Sequence, residues 1–282
     1  MNRYLNIDYT YHTHTYRCGH AYGTDEEYIL SAINEGYKYI GFADHGIFLT
    51  IKEEDGGREN KYFDEYITSI HSLKEKYAGS AEILLGGEFE YNKDFDWYYK
   101  ELKEKYGYDY LICGQHCYIK NNKMEYYFSK MDDIEQIKHY KDDVIAAIKS
   151  GYFLYIAHPD LFFNRITKIT DEVLDICREI VEAAIKYDVP LELNCGGFNW
   201  NNHVAKQNGG YPYPNDAFFK IVGELGAKVV VGIDAHMPKD FEPRKDYETI
   251  NKMIKDYNLK LIKDLRIKRW NINMYFLILM EL

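Results

Sequence analysis

The sequence predicts an α/β fold in which parallel strands alternate with helices and close into a barrel. Three observations carry that expectation. Apolar, β-prone runs alternate with amphipathic helical runs from about residue 4 to residue 236, making about seven β–α units. No break in composition divides them, and one barrel comfortably fits a chain of 282 residues and 33.4 kDa, a length that also admits two domains. Metal-competent side chains also recur where the strand-like runs end, which is where such barrels carry their active sites.

The run Tyr4-Leu5-Asn6-Ile7-Asp8-Tyr9-Thr10 is the first strand. It leads into Tyr11-His12-Thr13-His14, and alternation along a strand puts His12 and His14 on one face. Thr24 and Glu27 are spaced as a capping box, opening a helix that runs to about Asn34 and stops near Gly36. Tyr39-Ile40-Gly41-Phe42-Ala43 is a buried-type strand ending at Asp44-His45-Gly46. Residues 47–60, with Asp55-Gly56-Gly57, read as a loop. Lys61 to Tyr77 is a helix with its apolar stripe at Phe63, Ile67, Ile70 and Leu73.

The pattern then repeats. A strand over 81–87 leads to Glu88, and a Tyr- and Lys-rich helix covers about 94–106. A strand over 108–113 ends at Gly114-Gln115-His116, and a helix covers 131–150. A strand over 152–157 runs into His158-Pro159-Asp160, followed by an amphipathic helix over 170–187. Pro190-Leu191-Glu192-Leu193 leads to Asn194-Cys195-Gly196-Gly197, a helix covers 214–225, and a strand over 228–233 ends at Asp234-Ala235-His236.

Composition narrows the function. A net charge of −10 and a pI near 5.5 provide no basic groove for nucleic-acid phosphates. An acidic protein still binds a phosphorylated small molecule where metal cations supply the positive charge. The five cysteines (Cys18, Cys113, Cys117, Cys177 and Cys195) form no CxxC pair, and the N-terminus has no signal-peptide pattern, so a cytoplasmic setting is expected. No apolar run approaches the roughly 20 residues of a membrane span.

His12, His14, His45, Glu88, His116, His158, Asp234 and His236 each sit at or just past a strand end, with His20 on the first loop. The set takes in seven of the ten histidines. On a closed barrel all nine residues converge on one mouth, too many for one cation and suited to two or three. Histidine and carboxylate donors, with no cysteine ligand expected, point to zinc, manganese or iron in a catalytic site.

The ordered motifs His12-Thr13-His14, Ala43-Asp44-His45, Gly87-Glu88, Gln115-His116, His158-Pro159-Asp160 and Gly232-Ile233-Asp234-Ala235-His236 resemble those of the polymerase and histidinol phosphatase (PHP) superfamily, and most of all its monofunctional histidinol-phosphatase branch. The resemblance runs from about residue 4 to 260. It implies a distorted (β/α)7 TIM-like barrel over 1–260, leaving 261–282 as a separate C-terminal tail, and a trinuclear metal site. The nine residues above match its ligand positions. It implies hydrolysis of a small phosphomonoester, L-histidinol phosphate in that branch, late in histidine synthesis. Similar barrels act on other small phosphates, on phosphotyrosine or on nucleic-acid ends, and a non-catalytic metal-binding role is a further alternative.

Attack by metal-activated hydroxide is the expected chemistry, with Asp234 or His236 as proton donor. Arg17 and Arg165 are candidate phosphate clamps and Asn194 a candidate substrate contact or turn residue. Tyr16, Tyr22, Phe162, Phe198 and Trp200 are candidate walls for an imidazole-bearing substrate. The sequence departs from the family pattern beyond about residue 260, where a short strand and a small, basic ending are expected. Arg266-Ile267-Lys268-Arg269-Trp270 and an apolar run over 274–280 stand there instead.

Overall fold

Alternation of short strands and longer helices is what the chain builds. The computed structural model describes residues 4–51, 60–121, 123–198, 212–265 and 267. In chain order these form β1 (Tyr9–Thr10), α1 (Asp25–Asn34), β2 (Tyr39–Phe42), α2 (Phe63–Lys76), β3 (Glu82–Leu85), β4 (Glu88–Phe89) and α3 (Asp96–Glu104). Then follow β5 (Ile112–Cys113), β6 (Cys117–Lys120), β7 (Lys123–Tyr126), α4 (Ile134–Ser150) and α5 (Asp171–Lys186). The last are β8 (Leu191–Asn194), α6 (Asp216–Leu225), β9 (Lys228–Gly232), α7 (Lys245–Asp256) and β10 (Lys260–Leu261).

The parallel strands make three sheets, β1-β2-β3, β4-β5 and β8-β9-β10. Single parallel bridges lie between them, His45 to Glu88, Cys113 to Ile156, Ile156 to Leu191 and Thr13 to Ala235. The α/β class agrees with the expectation. Among the described residues the sheets stay small, and no continuous ladder closes a barrel.

Several segments differ from their sequence reading. The first strand shrinks to Tyr9–Thr10, and the strand over 108–113 to Ile112–Cys113. Residues 152–157 make no strand, although Leu154 N–H donates to Leu111 and Ile156 N–H to Pro190. The segment therefore lies between two neighbours and bonds to both, but pairing is too discontinuous for a ladder. The antiparallel hairpin β6–β7, absent from the expectation, occupies the loop after β5. Helix α7 was likewise not anticipated, while β10 supplies a short final strand pairing with β9. The apolar run 274–280 lies outside the described residues. Among those described, no helix is long and apolar enough to cross a membrane.

The helices form for reasons local to their sequences. Thr24 accepts from Glu27 N–H while the Glu27 side chain accepts from Thr24 N–H, the reciprocal cap expected for α1. Helix α5 buries Val173, Ile176, Cys177, Ile180, Val181 and Ala184, a stripe at helical spacing. On α2 the buried stripe is Phe63, Tyr66, Ile70 and Leu73, so Tyr66 takes the place expected for Ile67. Large tyrosines fill the interior because backbone carbonyls satisfy their hydroxyls. Tyr110 Oη donates to Tyr11 O at 2.7 Å and Phe42 O at 3.0 Å, and Tyr9 Oη to Ile262 O at 2.8 Å. All five cysteines are buried and none forms a disulfide.

Candidate metal centre

Seven of the nine predicted ligands follow the end of a strand or of a strand-like segment, Glu88 starts one just past β3, and His20 lies on the loop after the 3₁₀ turn Tyr16–Cys18. His12 and His14 follow β1, His45 follows β2, Glu88 opens β4, and His116 lies between β5 and β6. His158 ends the segment bridged through Ile156, and Asp234 and His236 follow β9. His158 and Asp234 have positive φ values, 28° and 53°, uncommon for non-glycine residues and a form of strain that surrounding structure must hold.

All nine residues meet. The His14 ring lies 4.5 Å from that of His45 and 4.2 Å from that of His236, and His20 lies 4.9 Å from His236. On the other side His12 is 5.8 Å from His158, which is 4.8 Å from His116. Glu88 sits among five of these imidazoles, its oxygens 2.8 Å from His158 Nε2, 3.1 Å from His45 Nδ1 and 3.4 Å from His12 Nε2. Asp234 Oδ1 is 3.1 Å from His14 Nε2 and 3.5 Å from His12 Nε2.

The surroundings set the charges. Burial works against charge on His12, but Glu192, Asp234 and Glu88 outweigh it and raise its pKa well above the usual value. Burial also opposes ionisation of Glu88 and Asp234. The imidazoles around each outweigh it and hold both carboxyls well below the usual range. Burial and the neighbouring His14 push His236 down to about 4.

Divalent metal fits this donor set. His12 Nε2, Glu88 Oε2 and Asp234 Oδ1 are buried and make no hydrogen bond among the described residues. The donor atoms of His12, Glu88 and His158 lie within 4.8 Å of one another, as do those of His12, His14 and Asp234, and of His14, His45 and His236. No cysteine ligand was expected, yet the Cys18 sulfur lies in the same range of His20 and His236.

The second-rank predictions divide. The Arg17 guanidinium is buried against Asp25, at 2.9 and 3.0 Å, and Glu65, at 3.1 Å, so carboxylates take the edges expected to clamp phosphate. Arg165 is half-buried at the end of a 3₁₀ turn, and its side chain meets no carboxylate among the described residues. Asn194 is buried, donating to Glu192 Oε2 at 2.7 Å and Asp234 Oδ2 at 3.3 Å while accepting from Gly197 N–H. Those bonds make it a support for Asp234 and for the turn. Phe162 is a core residue, Phe198 is half-buried, and Tyr16 and Tyr22 are exposed. Trp200 lies outside the described residues.

Residue reading missed three buried acids. Glu90 Oε1 lies 3.2 Å from His116 Nδ1, and Asp44 Oδ1 3.4 Å from His14 Nδ1. Glu192 Oε1 lies 2.8 Å from His12 Nδ1. Its one sequence signal is an acid set between Leu191 and Leu193 in an otherwise apolar strand.

Comparison with known proteins places this site in a class. The PHP domain family model matches residues 10–196, and the chain belongs to that family. It is similar to a probable histidinol-phosphatase of Deinococcus radiodurans, 26% identical over 231 residues that cover 80% of this chain and 85% of that protein. A probable phosphatase of Thermoanaerobacter sp. (strain X514) is 30% identical over 237 residues, covering 81% and 79%. The fold is shared with a histidinol phosphate phosphatase of Lactococcus lactis solved with zinc, L-histidinol and phosphate. The TM-score is 0.66 at 17% identity, covering 91% of this chain and 95% of that one. A putative histidinol phosphatase of Listeria monocytogenes gives a TM-score of 0.68 at 20% identity, covering 86% and 99%.

Proposed function

We propose that this protein is a metal-dependent phosphomonoesterase that converts L-histidinol phosphate and water to L-histidinol and phosphate. The observation that carries the reading is the single connected cluster of seven imidazoles with Glu88 and Asp234. The names of the Deinococcus and Lactococcus proteins support the substrate. Relatives named only as probable phosphatases keep another small phosphomonoester as the second reading.

In this reading the nine residues hold two or three divalent cations, and the zinc in the Lactococcus protein favours zinc over manganese or iron. Such cations, when bound, neutralise phosphate charge and lower the pKa of water to near neutrality. Glu88, facing imidazoles from several elements, fixes the spacing of the ligands. Asp234 or His236, side by side at the end of β9, gives the leaving alkoxide its proton so that it departs as an alcohol. Arg165 binds phosphoryl oxygens with its planar guanidinium. Arg17 acts one step back, tying the loop that carries His14 and His20 to Asp25 on α1 and Glu65 on α2. Closure of the strands into a seven-unit barrel is part of the same reading, supported by the Thr13 to Ala235 bridge between the first and last units. Five cysteines without a disulfide among them support a reducing, cytoplasmic setting.

The test is phosphate release by the metal-loaded enzyme from L-histidinol phosphate beside AMP, a phosphotyrosine peptide, p-nitrophenyl phosphate and single-stranded DNA. The expected result is a kcat/KM above about 10⁴ M⁻¹s⁻¹ for histidinol phosphate alone. Slow turnover of everything except the generic ester discards that substrate. His14→Ala and Asp234→Ala should abolish release with an unchanged far-UV CD spectrum, and retained activity in either rejects the assignment.

A further inference from the structure

Glu192 lies within β8, is fully buried, and has both oxygens engaged. Oε1 accepts from His12 Nδ1 at 2.8 Å. Oε2 accepts from the backbone N–H of His158 at 3.0 Å and from Asn194 Nδ2 at 2.7 Å. Every partner is a donor. An amide at this position would set its NH₂ against a second donor, whereas a carboxylate satisfies all three.

This fixes the state of His12. A carboxylate only accepts, so Nδ1 keeps its proton, and Nε2, the atom that faces Glu88 Oε1 at 3.4 Å and Asp234 Oδ1 at 3.5 Å, is the nitrogen that gives up its proton to take a cation. The same carboxylate holds the backbone of His158 where its φ is strained and, through Asn194, reaches Asp234 Oδ2 at 3.3 Å. Space for it comes from the next strand, because a Cβ on Gly232 would overlap Glu192 Oε1. An isolated buried carboxylate is costly, and full hydrogen bonding is what makes this one tolerable.

We propose that Glu192 is the positioning residue of the metal centre, fixing His12 Nε2 as a ligand atom and joining the strand ends that carry His12, His158 and Asp234. It contacts neither cation nor substrate itself. The inference rests on reading the nine residues as metal ligands and is independent of which phosphoester is cleaved.

Zinc affinity, measured by competition with a chromophoric chelator, tests it in wild type, Glu192→Gln, His12→Ala and the double variant. Glu192→Gln should weaken zinc about 10- to 100-fold, as loss of a partner that orients a ligand does. In the His12→Ala background the same change should cost at least about threefold less than in wild type, because the ligand it orients directly is gone and only its support of His158 and Asp234 remains. Equal losses in both backgrounds, or unchanged affinity in Glu192→Gln, overturn the proposal. If Glu192→Gln fails to fold by CD, Glu192→Asp, with the charge kept and the reach shortened, takes its place under the same criteria. Coupled zinc losses in an enzyme inert towards histidinol phosphate leave the proposal standing and remove only the substrate. A wild type that binds no zinc overturns both the proposal and the metal centre.

Discussion

Asp160, two residues beyond His158, shows how one buried side chain makes stability depend on pH. Its Oδ2 accepts from Asn215 N–H at 2.6 Å, and Asn215 in turn caps α6. Oδ1 is buried without a hydrogen bond among the described residues. Burial pushes the carboxyl up to about 7. In the unfolded chain it titrates near its ordinary value of about 3.9. Between these values the folded protein keeps a proton that the unfolded chain has lost. The contribution is therefore fully present below about pH 4 and disappears as pH rises through about 7, at no more than about 1.4 kcal/mol per pH unit. Asp160→Asn keeps an acceptor for Asn215 and removes the titration. In the metal-free protein the variant should gain on wild type in Tm from pH 5 to pH 8. A Tm difference that stays constant over that range refutes the assignment.

At the scale of elements, two substitutions of similar size should behave oppositely. Thr24→Ala removes the reciprocal cap of α1 and should cost about 1 kcal/mol. In a chain of this size that lowers Tm by roughly 2–4 °C, measurable by calorimetry, with metal content untouched. Gly114→Ala acts where β5 ends, and its new methyl would overlap the Glu88 carboxylate. Because Glu88 faces five imidazoles, the prediction is lost metal, read by elemental analysis of the purified protein. Full metal content in Gly114→Ala would show that Glu88 can shift without consequence. One variant edits a helix end and the other a strand end, and only the strand ends converge.

Convergence also sets behaviour at the scale of the whole molecule. The ligands come from the ends of several strands spread over residues 12–236, so cations that bind them bind the folded state alone. At a hundredfold excess over Kd, such binding adds about 2.7 kcal/mol of stability. Chelation should accordingly lower Tm by roughly 5–10 °C, and re-addition of zinc should restore it. A Tm indifferent to chelator would mean that the cluster holds no cation in solution.

Much of this molecule was legible from its sequence. The helices α1, α2, α4 and α5 follow from apolar spacing and from caps such as Thr24–Glu27, which are contacts between near neighbours. The nine candidate ligands follow from one repeated feature, a polar residue just beyond an apolar run. What stayed hidden depends on partners distant in the chain. Residues 152–157 have the composition of a strand yet pair only through single bridges, and the hairpin β6–β7 carries no turn signal that the reading used. Arg17 looked free to bind phosphate until folding brought Asp25 and Glu65 to its guanidinium. Glu192 looked like an acid out of place, and only the fold set His12, His158 and Asn194 around it, 180, 34 and 2 residues away. Spacing along the chain fixes which face of an element a residue occupies. Which donor or acceptor meets it there is decided by packing, because a buried charge takes its energy from neighbours that no local pattern names.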